Sequence, residues 1–308
     1  MWQSVCKGAA ALVALGMLAG CSAPGRASGP SVGGITNVSA PAATGGNFGA
    51  AAALGQPPVV NAAAYIVIDP RNGQVLLEKN AHVRRAVAST QKLLTAMVVL
   101  ESGRMDEWVT VAASDTTVEP AKMGIRSGDR YRRRDLLEAM MVRSCNDIAA
   151  CLARTTAGSQ AAFVAQMNAK AARLGMRNSH FVTPHGLDAP GQYSTAFDLA
   201  ILATAALNHG ELHRITQTRE MVFRMADGND AYIMNTNKVL RTSPYCSGLK
   251  TGYTSQAGRC LVSSGERGLK RAVVVVLGSQ IPDVWNDSRD LLHWALDVPS
   301  TASVATSN

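Results

Sequence analysis

The chain lacks a long run of one charge. Its densest basic stretch, Arg130 to Arg134, is interrupted by Tyr131, too short for the cation array that tracks a nucleic-acid backbone, so no nucleic-acid partner is expected. No glycine-rich phosphate loop occurs, which removes the usual cradle for a nucleotide cofactor. His180 and His185 stand five apart, but no carboxylate or thiolate lies at ligand spacing, so neither a metal nor a cofactor is expected. No internal repeat is evident. Charged residues make up only 17% of the 308 positions, whereas hydrophobic ones make up 47%. That balance excludes a disordered chain and supplies a core for one large domain or two modest ones. The net charge of +8 reads equally as a solvated basic surface or as attraction to an anionic partner.

What is present begins at the N-terminus. Lys7 precedes an apolar stretch from Ala9 to Ala19, shorter than the about 20 residues a spanning helix needs but right for a signal-peptide core. The following Leu18-Ala19-Gly20-Cys21 resembles the lipobox of bacterial lipoproteins. The resemblance implies cleavage after residue 20 and diacylation of Cys21, hence a membrane partner through a lipid anchor. Ser22 after the cysteine favours the outer membrane by resemblance to Gram-negative sorting. Residues 21–60, rich in Gly, Ala, Ser and Pro, read as a flexible tether. The folded part is expected over 61–299, with a loose polar tail at 300–308. Cys145, Cys151, Cys246 and Cys260 remain after export. Cys145 and Cys151 are poorly spaced for a bridge. If Tyr253 pairs near Arg259, Cys246 sits far along the strand from Cys260, so four buried free thiols are expected.

Periodicity assigns strands at Tyr65 to Asp69 and Gln74 to Glu78, joined by the turn Pro70-Arg71-Asn72-Gly73. Helices follow from Ser89 to Leu100, Asp135 to Val142, Asn146 to Arg154, and Ser159 to Leu174, the last capped by Ser159 and stopped by Gly175. Thr195 with Asp198 reads as a capping box opening a helix to Leu207. Strands return at Met221 to Met225, Cys246 to Tyr253, Arg259 to Ser264 and Arg271 to Leu277, and an amphipathic helix closes at Asp283 to Leu296. Strands thus come from both ends around a helical block. The order predicts an α+β fold: a mostly antiparallel sheet closed by N- and C-terminal strands, flanked by helices, with an inserted helical subdomain. Val83, Val87 and Val284 are expected in the core.

Three short motifs carry chemistry. Ser89-Thr90-Gln91-Lys92 opens a helix, where residues three apart are neighbours. A lysine activates a serine only when its amine is neutral, so burial or a second cation must lower its pKa from about 10.4. Ser144-Cys145-Asn146 lies at a helix junction. Lys250-Thr251-Gly252 lies in a strand, where the glycine suggests close approach of another backbone, such as a substrate peptide. Each motif alone is commonly a cap or a solvated lysine.

Together, in this order and in helix, loop and strand, the motifs resemble the D-alanyl-D-alanine carboxypeptidase family, the low-molecular-mass penicillin-binding proteins. The longer stretches Ala88 to Ala96, Thr183-Pro184-His185-Gly186-Leu187, Tyr193 to Ala196 and Gly248 to Thr254 share that resemblance. It covers about Tyr65 to Leu296 and implies a β-lactamase/transpeptidase-like fold. It implies a serine carboxypeptidase of the cell envelope acting on peptidoglycan peptides, with β-lactams as covalent inhibitors. By the same resemblance Ser89 is the nucleophile, Lys92 its base, and Ser144 the relay to the leaving amine. Asn146 binds the substrate backbone and positions Lys92, Lys250 faces the substrate carboxylate with Thr251 and Gly252 beside it, and the N–H groups of Ser89 and Tyr253 form the oxyanion hole. Cys145 stands where Gly, Ala or Asp is usual and is expected to point away from the site.

Three other readings stay open at this level. A D,D-endopeptidase would use the same residues, and the short architecture suits it. A β-lactamase needs a deacylating glutamate, yet no Glu occurs between Glu138 and Glu211. An inactive wall-associated lipoprotein would keep the fold alone.

Overall fold

The computed structural model describes residues 54–298; the expected signal peptide, Cys21, most of the tether and the tail lie outside them. A five-stranded antiparallel sheet in the order β2-β1-β9-β8-β7 organises the fold. Its strands are β1 (Ala64–Asp69), β2 (Gln74–Lys79), β7 (Cys246–Thr254), β8 (Gly258–Arg267) and β9 (Lys270–Ser279). The strand from the start of the chain therefore pairs with one from its end, as the order of elements predicts.

The central strand reads Ala272-Val273-Val274-Val275-Val276-Leu277, apolar at every position because both faces are covered. Its alternate side chains enter two cores. Val273, Val275 and Leu277 face the large core beneath the helical block. Ala272, Val274 and Val276 face a smaller core closed by α8 (Asp283–Ala295) with Leu291 and Leu292. The fold is in place by Ala62, whose N–H donates to the Asp287 carboxylate on α8 at 3.1 Å.

The helical block comprises α1 (Lys92–Glu101), α2 (Arg133–Arg143), α3 (Asn146–Ala157), α4 (Gln160–Leu174), α5 (Ala196–Leu207) and α6 (Gly210–Thr216). The predicted caps of α4 hold: the Ser159 hydroxyl accepts from Ala162 N, and Gly175 ends the helix at φ 85°. At α5 only half of the expected capping box forms. The Thr195 hydroxyl accepts from Asp198 N, but the Asp198 carboxylate turns to Asn178 N and the Ser179 hydroxyl. Two small ribbons, β3 (Trp108–Thr110) with β4 (Arg130–Arg132) and β5 (Glu220–Arg224) with β6 (Asp230–Met234), pack through Tyr131 on Phe223; α7 (Lys238–Thr242) precedes β7.

Val87 and Val284 are buried as expected, but Val83 is 49% exposed, because it ends a surface turn over residues 80–83 closed by the hydrogen bond from Val83 N to Asn80 O. The four described cysteines are free and buried. Tyr253 pairs with Arg259, so Cys260 faces Gly252 and Cys246 faces Gly265. Among the described residues no helix is long and apolar enough to cross a membrane, and no cluster of His, Cys, Asp or Glu suits a metal.

Candidate active site

Ser89 sits on a 3-10 turn, Ala88–Gln91, and Lys92 is the first residue of α1 behind it. The sequence predicts one continuous helix from Ser89. The tighter turn is imposed by Ala88 at φ 50° and by the Thr90 hydroxyl, which donates to Val87 O. A 3-10 turn repeats every three residues and stacks side chain i on i+3. Lys92 Nζ consequently lies 2.7 Å from Ser89 Oγ.

Two further oxygens hold that amine: Asn146 Oδ1 at 2.6 Å and His185 O at 2.7 Å. Both are neutral, and in these contacts both can only accept. A neutral amine has two N–H bonds for them and leaves its lone pair for the serine hydroxyl. Asn146 is locked in this orientation because its Nδ2 donates to Pro120 O at 2.7 Å. No carboxylate touches the amine. Asp147, the nearest acidic influence, is tied to the N–H groups of Met123, Gly124 and Ile148. Complete burial, and secondly the cation of Lys250, hold Lys92 well below the usual lysine range.

Ser144 ends α2 in the left-handed region at φ 69°, which turns its hydroxyl toward β7. Lys250 Nζ donates to Ser144 Oγ at 2.8 Å and to Thr251 O at 3.1 Å. Lys250 is itself buried, which lowers its pKa to about 7. Sequence reasoning aims this lysine at substrate; the alternation of β7 instead turns Lys250, Gly252 and Thr254 inward. Thr251 faces the other way and shares a 2.6 Å hydrogen bond with Thr236, a residue the sequence does not single out.

Gly252 is required by close approach, but the backbone approaching it belongs to this chain. A Cβ there would sit 2.9 Å from Ser89 N and 3.0 Å from Thr90 N. Strand β7 therefore packs directly on the turn that presents Ser89. Gly186 is equally constrained, since a Cβ would fall 2.2 Å from Ala88 O.

Cys145 is buried, its thiol lies 3.9 Å from Met123 Sδ, and burial pushes its pKa up to about 12. It borders the cleft as an inert thiol. His185 is buried and its pKa falls to about 3, so its ring is neutral; Nδ1 accepts from Leu187 N. His180 lies apart, against Gly191 O and Tyr193. The two histidines therefore serve separate local contacts.

A cleft of about 420 Å³ opens over Ser89, Ser144 and Thr251, walled by Tyr253, Arg259 and Trp285. No acidic side chain lines it, whereas Lys122, Arg143 and Arg259 do. This is a serine with an adjacent neutralised amine, a second buried lysine on a second serine, and an anion-attracting mouth, an arrangement suited to acyl transfer.

A family model described as D-alanyl-D-alanine carboxypeptidase, peptidase family S11, matches residues 51–281. The chain belongs to this family. Among the family's curated members, the carboxypeptidase DacD of Salmonella typhimurium is 38% identical over 254 residues, which cover 78% of this chain and 64% of that protein. The chain thus matches less than two thirds of that relative's length. The carboxypeptidase DacB2 of Mycobacterium tuberculosis is 35% identical over 80% of this chain and 86% of its own length. A crystal structure of a D-alanyl-D-alanine carboxypeptidase from M. tuberculosis superimposes with a TM-score of 0.75 at 34% identity, over 80% of this chain and 95% of that one. The α+β architecture of that structure is accordingly the architecture of this chain.

Proposed function

We propose that this chain is a serine D-alanyl-D-alanine carboxypeptidase that removes the terminal D-alanine from peptidoglycan stem peptides through an acyl-enzyme on Ser89. The observation that carries the reading is the Lys92 amine, enclosed at 2.7 Å from the Ser89 hydroxyl with only neutral acceptors around it.

In the first half-reaction Ser89 Oγ attacks the scissile carbonyl while its proton passes to Lys92 Nζ. The N–H groups of Ser89 and Tyr253 receive the developing oxyanion. The C–N bond then breaks, and the leaving amine takes a proton from the Ser144 hydroxyl, which Lys250 Nζ resupplies; Lys92 releases the proton taken from Ser89 to solvent and Lys250 regains one from it, so both amines return to their starting state before deacylation. Asn146 keeps Lys92 aligned and offers its amide edge to the substrate backbone. Water next attacks the ester, giving its proton back through Lys92, and Ser89 is regenerated. A β-lactam enters the same first half-reaction, its ring amide opening on Ser89. With no carboxylate lining the cleft, a deacylating water has no glutamate base, so the penicilloyl ester is expected to persist.

Cys21 is proposed to carry the lipid that tethers this domain to the cell envelope, facing the periplasm or wall, with residues 21–60 as spacer and 61–299 as the peptidase domain; labelling with a fatty-acid probe in wild type but not Cys21→Ser tests it. The activity is tested by incubating the protein with defined monomeric and crosslinked muropeptides and with benzylpenicillin. Release of D-alanine from monomers and a stable adduct mapped to Ser89 are expected. Cleavage of crosslinks alone would transfer the reading to a D,D-endopeptidase, for which a curated D-alanyl-D-alanine endopeptidase of Pseudomonas aeruginosa, 37% identical over 201 residues, offers a precedent. Absence of any adduct would leave an inactive wall-associated protein.

A further inference from the structure

We propose that Arg259 is the residue that anchors the free carboxylate at the end of the substrate peptide and so makes the cleft selective for a carboxyl terminus. The inference rests on the acyl-enzyme reading of the site.

Such a substrate carries its carboxylate one residue beyond the bond attacked by Ser89, within about 3–4 Å along an extended chain. A cation must therefore face the cleft on the β7 side. Lys250 is badly placed for this. It is 1% exposed and already bound to Ser144 Oγ and Thr251 O, so a carboxylate reaching it would have to displace the hydroxyl that serves the leaving group. Burial also weakens its charge near neutrality.

Arg259 has the opposite properties. It lies on β8 directly across from Tyr253 on β7, and paired residues share one face of a sheet. Thr251 lies two residues before Tyr253 on that face. The guanidinium is held 4.0 Å above the Tyr253 ring, a stacking contact that fixes its plane while leaving its edge donors open. Arg259 is partly buried and lines the cleft that contains Ser89 and Thr251. Among the described residues its guanidinium has neither a carboxylate partner nor a hydrogen-bond acceptor, and the cleft presents no acidic side chain. The geometry is that of a planar fork awaiting a bidentate anion, on the cleft that Thr251 also lines. Of the other cleft cations, Lys122 is paired with Glu119, and Arg143 is exposed at the end of α2, on the Ser144 side.

The test compares a peptide ending in D-Ala-D-Ala with the same peptide as its C-terminal amide, on the full-length protein. Wild type is expected to favour the free acid. Arg259→Ala should raise KM for the acid about 10- to 100-fold, the effect of one charge-assisted hydrogen-bonded pair, with kcat little changed and the amide barely affected. Arg259→Lys should recover part of the preference, since it restores charge without the fork, and it guards against a misfolded alanine variant, which thermal melts followed by circular dichroism would expose. A folded Arg259→Ala protein that keeps the wild-type acid-to-amide ratio, or loses both substrates equally, overturns the inference, as does collapse of the ratio in Arg143→Ala instead. In each of those outcomes wild type remains active and the proposed function stands. A wild type inert toward both peptides and toward benzylpenicillin refutes the function and the inference together.

Discussion

Replacing Asn146 by Asp changes almost no volume but puts a carboxylate where a neutral oxygen now meets the Lys92 amine at 2.6 Å. At that distance and an effective dielectric of about 20, a full charge attracts an ammonium by about 6 kcal/mol. The cost of holding two buried charges cancels several kcal/mol of this. If half survives, about 3 kcal/mol favours protonated Lys92, equivalent to roughly two pH units. Lys92 works as a base only when neutral, so acylation rises with pH through its pKa, and the acidic limb of the profile should move up by about two pH units. At a pH on the acidic limb, below both pKa values, the variant should acylate about 100-fold more slowly, and the deficit should close as pH increases. The assay is the second-order rate constant for labelling by fluorescent penicillin from roughly pH 5 to 10. Asn146→Ala, which removes the hydrogen bond without adding charge, should lower the rate and leave the limb in place. An Asn146→Asp protein that acylates within about threefold of wild type, with the limb unmoved, would refute the electrostatic reasoning.

Stability should carry the mark of the buried lysines. Lys250 titrates at about 7 in the fold and at about 10.4 in an unfolded chain. Between those values the unfolded state binds more protons, so stability must rise with pH, by about 1 kcal/mol per unit from Lys250 between pH 7 and 8. Stability from urea unfolding should rise with pH in wild type, and the slope should fall by about that amount in Lys250→Met, Lys92 supplying the remainder; equal slopes would contradict the burial argument. The window stops near pH 8 because the four buried thiols, Cys145 and Cys151 at about 12 and Cys246 and Cys260 at about 11, retain protons that the unfolded chain loses, which reverses the sign above their ordinary range. Gly252→Ala should cost about 1–3 kcal/mol by overpacking against the Ser89 and Thr90 amides, a drop of several degrees in Tm. Its acylation rate should fall more than about 100-fold; a wild-type rate in the folded variant would mean that β7 does not hold the nucleophile turn.

The parts of the fold legible in the sequence are those with a strong local signal. Helix α4 announces itself by Ser159 and Gly175 at its ends, and β9 by a valine run that needs cover on both faces. The ribbons β3 and β4, three residues each, and the five-residue α7 are too short for any period to register. At the site, Ser89, Lys92, Ser144, Asn146 and Lys250 were readable because side-chain chemistry at fixed spacing leaves a motif. The His185 carbonyl was not, since a backbone acceptor has no side-chain signature, although it is one of the three groups holding the Lys92 amine. Asp147 hides beside the second motif as an ordinary helix-start residue, yet it fastens the loop whose Pro120 carbonyl orients Asn146. Lys250 shows the limit of motif reading: the residue is evident, but only the inward turn of β7 reveals that its partner is Ser144.

The measurement closest to the heart of this account is the titration of Lys92 itself, by carbon-13 NMR of protein labelled at the lysine ε-carbons, with Lys92→Met identifying the signal. An amine that loses its proton far below the ordinary lysine range, before the surface lysines, is the predicted result. A Lys92 signal that titrates with the surface lysines near pH 10.4 would leave Ser89 without a base and contradict the mechanism.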